Sequence, residues 1–323
     1  MADLSGQDTA RRVLEITAAG GHNLLMVGPP GAGKSMLASR LPGLLPSLTP
    51  TQALEVTMIH SISGQLSDDG LIWQVPFRDP HHSSTVAALV GGGTKARPGE
   101  VSLAHGGILF LDELAEWPRP QLDALRQSIE TGKSVVSRAN HHVTYPAKFQ
   151  LIAAMNPCRC GYISDANRAC SCAPACAQQY LSKISGPMLD RFDLMIEVPE
   201  VQIHMLTDPT NNETSALIHE RVMAARKKAE DRRVREIAAA GATAELPAVN
   251  ADLPPDAIDE MVKLDANSKK LIKDAAEKQA LSARGYHRVL RVARTIADVA
   301  GAEKTQQEHL AEALQHRRMP DHL

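Results

Sequence analysis

The run Gly28-Pro29-Pro30-Gly31-Ala32-Gly33-Lys34-Ser35 constrains this chain more than any other stretch. It fits G-x-x-x-x-G-K-[ST] in full, follows an apolar run at 23–27 and opens a helical pattern over 35–41. In such a loop successive backbone N–H groups turn inward and cradle phosphate, and the helix that follows adds the positive end of its dipole. Lys34 is then placed to reach β- and γ-phosphate oxygens, and the Ser35 hydroxyl to ligate Mg²⁺. The alternative, a glycine-rich loop of no function, is disfavoured by the flanking strand and helix.

Three further apolar runs, at 108–111, 149–155 and 194–198, read with 23–27 as buried parallel strands. Helical patterns at 35–41 and 120–130 lie between them. That alternation predicts a three-layer α/β domain with a parallel sheet. After Pro199 the texture changes. Helical patterns run over 213–240, 256–264, 266–281, 286–300 and 305–317, with Pro247 and the Pro254-Pro255 pair between the first two. The second part therefore reads as all-α, and 323 residues suit two domains, here 1–203 and 204–323. Arg226-Lys227-Lys228, Arg232-Arg233 and Arg235 read either as a nucleic-acid patch or as a solvated helix face. The interleaved Glu230, Asp231 and Glu236 favour the solvated face.

A formal net charge of −2 excludes a globally basic nucleic-acid binder but not a local basic patch. Four Phe, two Trp and four Tyr make base stacking a minor binding mode. The amino terminus lacks the basic and apolar regions of a signal peptide. No apolar run approaches the roughly 20 residues that span a bilayer. The expectation is a cytoplasmic protein with reduced thiols and no membrane partner.

Ile108-Leu109-Phe110-Leu111-Asp112-Glu113 is the companion that a phosphate loop requires. Two acids emerge at the carboxyl end of a buried strand, where ligands bind in open α/β sheets. Asp112 is expected to hold Mg²⁺ through water, and Glu113 to orient and deprotonate the attacking water. Asn156, ending the run at 149–155, either positions that water or makes an Asx turn with Pro157. Arg191 either reaches a neighbouring subunit's γ-phosphate or pairs with Asp190 or Asp193. All five cysteines fall within 158–176. Cys158, Cys160, Cys170 and Cys172 form two close pairs that could hold tetrahedral Zn²⁺, with Cys176 following; free thiols are the alternative. The adjacent pairs His81-His82 and His141-His142 point their rings different ways, which makes each pair a poor chelator and favours structural or DNA contacts.

These motifs together resemble AAA+ ATPases of the magnesium-chelatase-like group, and in particular its ComM (YifB) family of competence and branch-migration helicases. The resemblance runs from about Leu4 to about Gln315. Its most specific stretches are Pro76-Phe77-Arg78-Asp79-Pro80-His81-His82, Pro98-Gly99-Glu100-Val101-Ser102-Leu103-Ala104-His105 and Ala153-Ala154-Met155-Asn156-Pro157-Cys158. The resemblance implies a parallel-sheet AAA+ core and a helical lid. It implies Asn156 as sensor 1, Arg191 as an arginine finger acting in trans, and Arg288 as the sensor 2 arginine, with Arg284 a weaker candidate. It also implies a helix-2 insert at about 64–100 and a pre-sensor-1 hairpin at about 132–148. Lys133, Arg138 and the His141-His142 pair either face DNA from that hairpin or are solvated charges on a structural one. Members of the family carry an amino-terminal Lon-like domain, and this chain starts directly at the ATPase.

The expected function is an ATP-hydrolysing ring motor, a hexamer acting on single-stranded or branched DNA with ATP and Mg²⁺ and with Zn²⁺ as a further candidate. A chelatase-type motor subunit that remodels a partner protein is the second reading. A nucleotide-gated scaffold without useful turnover is the third, and the intact Glu113 argues against it.

Overall fold

A computed structural model of the chain describes residues 7–66, 70–93, 95–138, 141–163, 170, 175–200, 213–240, 247–278 and 281–317, the side chains of 138, 141 and 237–240 excepted. The chain enters through α1 (Asp8–Gly20), and β1 (Leu24–Val27) follows. The glycine loop then opens α2 (Lys34–Arg40). Next comes α3 (Pro50–Ser63), which starts in a capping box: Thr49 Oγ1 accepts from the Gln52 amide, and the Gln52 side chain accepts from the Thr49 amide. The stretch that follows holds short pieces: β2 (Phe77–Arg78), α4 (Val86–Val90), β3 (Gly91–Gly92), β4 (Arg97–Pro98) and α5 (Glu100–Leu103). Then come β5 (Ile108–Leu111), α6 (Arg119–Thr131), the hairpin β6 (Lys133–Arg138) and β7 (His141–Pro146), β8 (Gln150–Met155), α7 (Ala175–Leu181), α8 (Gly186–Leu189) and β9 (Leu194–Glu197).

The sheet order is β2-β5-β8-β1-β9. β5 runs parallel to β8 with Leu111 opposite Ala153, and β2 runs parallel to β5 with Phe77 opposite Ile108. Every residue of β1 and β5 is buried, as is β8 after Gln150. Continuous apolar runs of this kind are what a sheet covered on both faces requires. The four expected strands are present. The fifth, β2, is two residues long and lies inside the 64–100 span, where no strand was expected. α1 and α3 are likewise absent from the sequence expectation. No described helix is long and apolar enough to cross a membrane.

The chain divides into two compact units. One spans 25–42 and 46–191 and carries the phosphate loop. In it the β6–β7 ladder pairs six residues a side, from Lys133 opposite Pro146 to Arg138 opposite His141. Its root is fixed by an apolar cluster of Ala96, Val136 and Tyr145, and the Tyr145 hydroxyl donates to the Ala96 carbonyl at 2.9 Å.

The other unit comprises 7–24, 43–45 and the described residues of 192–317. After β9 it is helical: α9 (Ser215–Ala240), α10 (Pro255–Val262), α11 (Ala266–Lys278), α12 (Ala283–Val299) and α13 (Gln307–Gln315). α12 buries Val289, Leu290, Val292, Ala293, Ile296 and Ala297. The same helix carries a buried polar hub. Asp298 accepts from Arg232 and Arg294, each at 2.9 Å, and from Asn250 Nδ2 at 2.9 Å. Arg294 is fully buried. The basic run on α9 is therefore only partly a solvated face. Lys227 is exposed and pairs with Glu230 and Asp231, whereas Arg226 donates to the Ala18 carbonyl at 2.6 Å, Arg232 joins the Asp298 hub and Arg233 is buried. The spacing of acids showed a mixed-charge helix; it did not show that α9 turns part of this run inward.

Asp298→Asn keeps the shape of the hub and removes the charge that two arginines share. Breaking a buried pair in this way is expected to lower stability by about 3 kcal/mol, read as a fall in the denaturant midpoint.

Candidate nucleotide site

The phosphate loop leaves β1 at Gly28, whose amide donates to the Met155 carbonyl at 3.2 Å. Gly31 and Gly33 take φ of 79° and 81°, a region that side chains other than glycine's rarely adopt. Gly33 is also the N-cap of α2, so the left-handed turn aims the first helical amides back into the loop.

Lys34 is the centre of the site. Its ammonium is buried and donates to the carbonyls of Gly28 and Pro29 at 2.8 Å each and to Asn156 Oδ1 at 3.2 Å. Burial draws its pKa below the usual lysine value, and the carboxylates of Asp112 and Glu113 oppose that shift. Ser35 Oγ donates to Asp112 Oδ2 at 2.6 Å, which brings two oxygen ligands suited to Mg²⁺ side by side. Asp112 is itself held: its carbonyl accepts from Trp117 Nε1 and its Oδ1 from the Glu113 amide, both at 2.9 Å. Glu113 takes a left-handed φ of 50° and keeps a side chain that is 52% exposed. Lys34, Ser35, Asp112 and Asn156 are thus linked directly at the carboxyl edge of the sheet, with Glu113 beside them.

His82 was missed as a member of this group. Its Nδ1 lies 3.1 Å from Glu113 Oε2, and the ring of His81 lies against it at a centroid separation of 4.1 Å. The available signal was the His-His doublet shortly after Phe77-Arg78, but β2 itself had not been read as a strand. Asp79 lies nearby, its carboxyl pushed up by burial and by the Asp112 carboxylate.

Arg191 is buried at the end of α8 and pairs with Glu130 of α6, a partner that lies far from it in sequence. In the helical unit Arg288 donates to Asp193 Oδ1 at 3.0 Å. His22 Nδ1 lies 3.8 Å from Asp193 Oδ2, and the Asn23 amide donates to the same carboxylate at 2.9 Å. Burial works to raise the Asp193 carboxyl, but His22, Arg288 and the Asn23 amide outweigh it and hold it down at about 2.

Lys133 is exposed on the first strand of the hairpin. Arg138 closes that strand, and its side chain lies outside the described residues. Of the cysteines, Cys172 lies outside the described residues, whereas Cys158, Cys170 and Cys176 bring their sulfurs within 4.8 Å of one another. Cys160 Sγ is 3.2 Å from Cys158 Sγ. Cys176, outside the two expected pairs, therefore belongs to the group.

A phosphate loop followed by an acid pair on a parallel sheet, with a polar amide at the neighbouring strand end, defines the P-loop ATPase class. Comparison with known families sharpens this. The family model described as magnesium chelatase, subunit ChlI, matches residues 1–206, and that of the ChlI C-terminal part matches 212–317. The chain belongs to this magnesium-chelatase family of AAA+ ATPases, for which ATP and Mg²⁺ are the cofactors and oligomers are common. It is 46% identical over 99% of its length to the competence protein ComM of Haemophilus influenzae, and 44% identical over 98% to the uncharacterized protein YifB of Escherichia coli. It spans 60% of the length of each of these two relatives. The magnesium-chelatase 38 kDa subunit of Rhodobacter capsulatus is 29% identical over 47% of the chain and 48% of its own length.

Glu113→Gln is expected to leave nucleotide binding intact and to lower turnover by about 10²–10⁴-fold, measured by nucleotide titration alongside steady-state phosphate release. Asp193 sets a pH dependence. A carboxyl held below its unfolded value contributes stability that is complete above about pH 4 and is lost as pH falls through about 2. Melting temperature should fall across that window, and less steeply in Asp193→Asn.

Proposed function

We propose that this chain is the ATPase portion of a ring-forming motor that acts on DNA, by unwinding or branch migration during recombination or natural transformation. The observation that carries the proposal is the pairing of Lys34 with Asn156 and of Ser35 with Asp112, with Glu113 beside them, a set of residue types that suits ATP hydrolysis. A machine of this kind needs hydrolysis, not nucleotide binding alone, and a scaffold would not need Glu113.

In this reading the loop amides and Lys34 bind the β- and γ-phosphates. Ser35 and Asp112 would hold Mg²⁺, which supplies charge neutralisation on the phosphate oxygens when bound. Glu113 takes the proton from the attacking water, and Asn156 fixes that water while sharing Lys34. Arg191 acts on the nucleotide of a neighbouring copy in a hexameric ring, exchanging its Glu130 partner for phosphate oxygens. Arg288 reports the nucleotide state to the helical lid. The core is 1–203 with the 64–100 insert and the 132–148 hairpin, and the lid is 204–323. Lys133 and Arg138 face single-stranded or branched DNA from the hairpin in the ring channel. The setting is the cytoplasm. A zinc ion in the cysteine segment completes the cofactor set.

The similarity to a competence protein over nearly the whole chain favours DNA as the substrate, against less than half the chain for the chelatase subunit. The chelatase description of both family models supports a second reading, a motor that remodels a partner protein. An ATPase assay separates the two. DNA should raise turnover, and Lys133→Ala with Arg138→Ala should weaken DNA affinity and reduce the log–log salt slope by about 2 on duplex. Turnover indifferent to DNA but raised by a partner subunit would support the second reading, and unchanged DNA binding in the double variant would remove the hairpin from the account.

A further inference from the structure

We infer that Cys158, Cys160, Cys170 and Cys176 hold one zinc ion, and that the metal braces the phosphate loop through Gly161. The described ligand set adds Cys176 to members of the two sequence pairs; Cys172 lies outside the described residues. Three sulfurs, of Cys158, Cys170 and Cys176, lie within 4.8 Å of one another, and Cys160 Sγ is 3.2 Å from Cys158 Sγ. Cys160 hydrogen-bonds with Cys170 as well. Four thiolates at about 2.3 Å from one tetrahedral centre stand roughly 3.8 Å apart; the three mutually close sulfurs approach that spacing, and Cys160, which lies against Cys158, must turn inward to complete the set. The Cys158–Cys160 separation is far beyond the roughly 2.05 Å of a disulfide, and both are free thiols. An all-sulfur tetrahedral set selects a soft or borderline metal over Mg²⁺ or Ca²⁺.

Two neighbouring contacts give the site a mechanical role. Gly161 follows the first pair with φ of 83°, and its amide donates to the Cys158 carbonyl at 3.0 Å. A Cβ on Gly161 would stand 2.4 Å from Pro30 Cδ, so the turn lies with its backbone directly against the phosphate loop. At the other end Cys176 rides on α7, which is anchored by buried Ala177 and Tyr180. Just beyond α7, Lys183 pairs with Glu116 at 3.2 Å, three residues past Glu113. A metal with ligands on the turn and on α7 ties both to one point. The turn leaves β8 two residues after Asn156, so the same tie limits how far Asn156 and Pro30 can move from Lys34.

The zinc assignment stands on the sulfurs alone; the bracing rests on the ATPase reading. Metal analysis of the chain purified without added metal should find one zinc per chain, lost in Cys158→Ser and in Cys176→Ser. Zinc at background, iron in its place, or zinc kept in Cys176→Ser would overturn the assignment. Cobalt loaded into the unaltered chain should show the visible absorption of tetrahedral thiolate ligation, which keeps the test open if the serine variants do not fold; its absence counts against the site. Stripping zinc with a zinc-selective chelator, Mg²⁺ in excess, should weaken binding of a fluorescent ADP analogue about tenfold, within the usual range of coupling between sites, and returned zinc should restore it. Unchanged affinity would overturn the brace. Zinc-loaded chain that binds no nucleotide would instead strike the ATPase reading and leave the metal site standing.

Discussion

The parallel pairing of β5 with β8 is the constraint on which the rest depends. With Leu111 opposite Ala153, both strands end at one edge, and Asp112 and Asn156 emerge there from neighbouring strands. The Gly28 amide binds the Met155 carbonyl, so the phosphate loop leaves the sheet at the same place. Lys34 then reaches Asn156 and Ser35 reaches Asp112 without any further device. In a parallel pair a slip by one residue would turn each strand end to the opposite face and separate these groups. The complete burial of β1 and β5 makes such a slip costly, because it would move no apolar side chain to water yet break the packing on both faces at once.

What the sequence made legible follows from how local the signals are. The loop, its flanking strand and the acid pair are contiguous motifs, and buried parallel strands announce themselves as unbroken apolar runs. The hairpin at about 132–148 was reached through the family resemblance rather than through a pattern of its own. β2 was not legible, since two residues carry no periodicity, and its place is set by pairing with β5 rather than by its own composition. The contact of His82 with Glu113 depends on that unread strand. Cys176 joins the thiol group through the position of α7, and Glu130 meets Arg191 across two elements, both long-range facts.

The helical unit shows the same limit in its charges. Two buried acids, Asp193 and Asp298, each gather several donors, and one arginine meeting Asp298 comes from the α9 run that composition alone reads as solvated. Charges on a helix look alike in sequence whether they face water or a partner; the partner's position decides. Buried ion pairs of this kind do little for net stability but penalise any arrangement in which one member is left alone. Asp193 and Asp298 therefore specify how α12 seats more than how strongly it is held.

The hairpin is held by the apolar cluster of Ala96, Val136 and Tyr145 and by the Ser134 hydroxyl, which donates to the Val90 carbonyl. A ladder of six pairs at about 3.3 Å per residue is a beam ~20 Å long. Val136 is the fourth of the six paired residues of β6, so the cluster grips the ladder past its middle and two pairs, about 7 Å, reach beyond it. Strand length past that grip thus sets reach: each pair added to or removed from β6 and β7 moves the end of the ladder by about 3.3 Å.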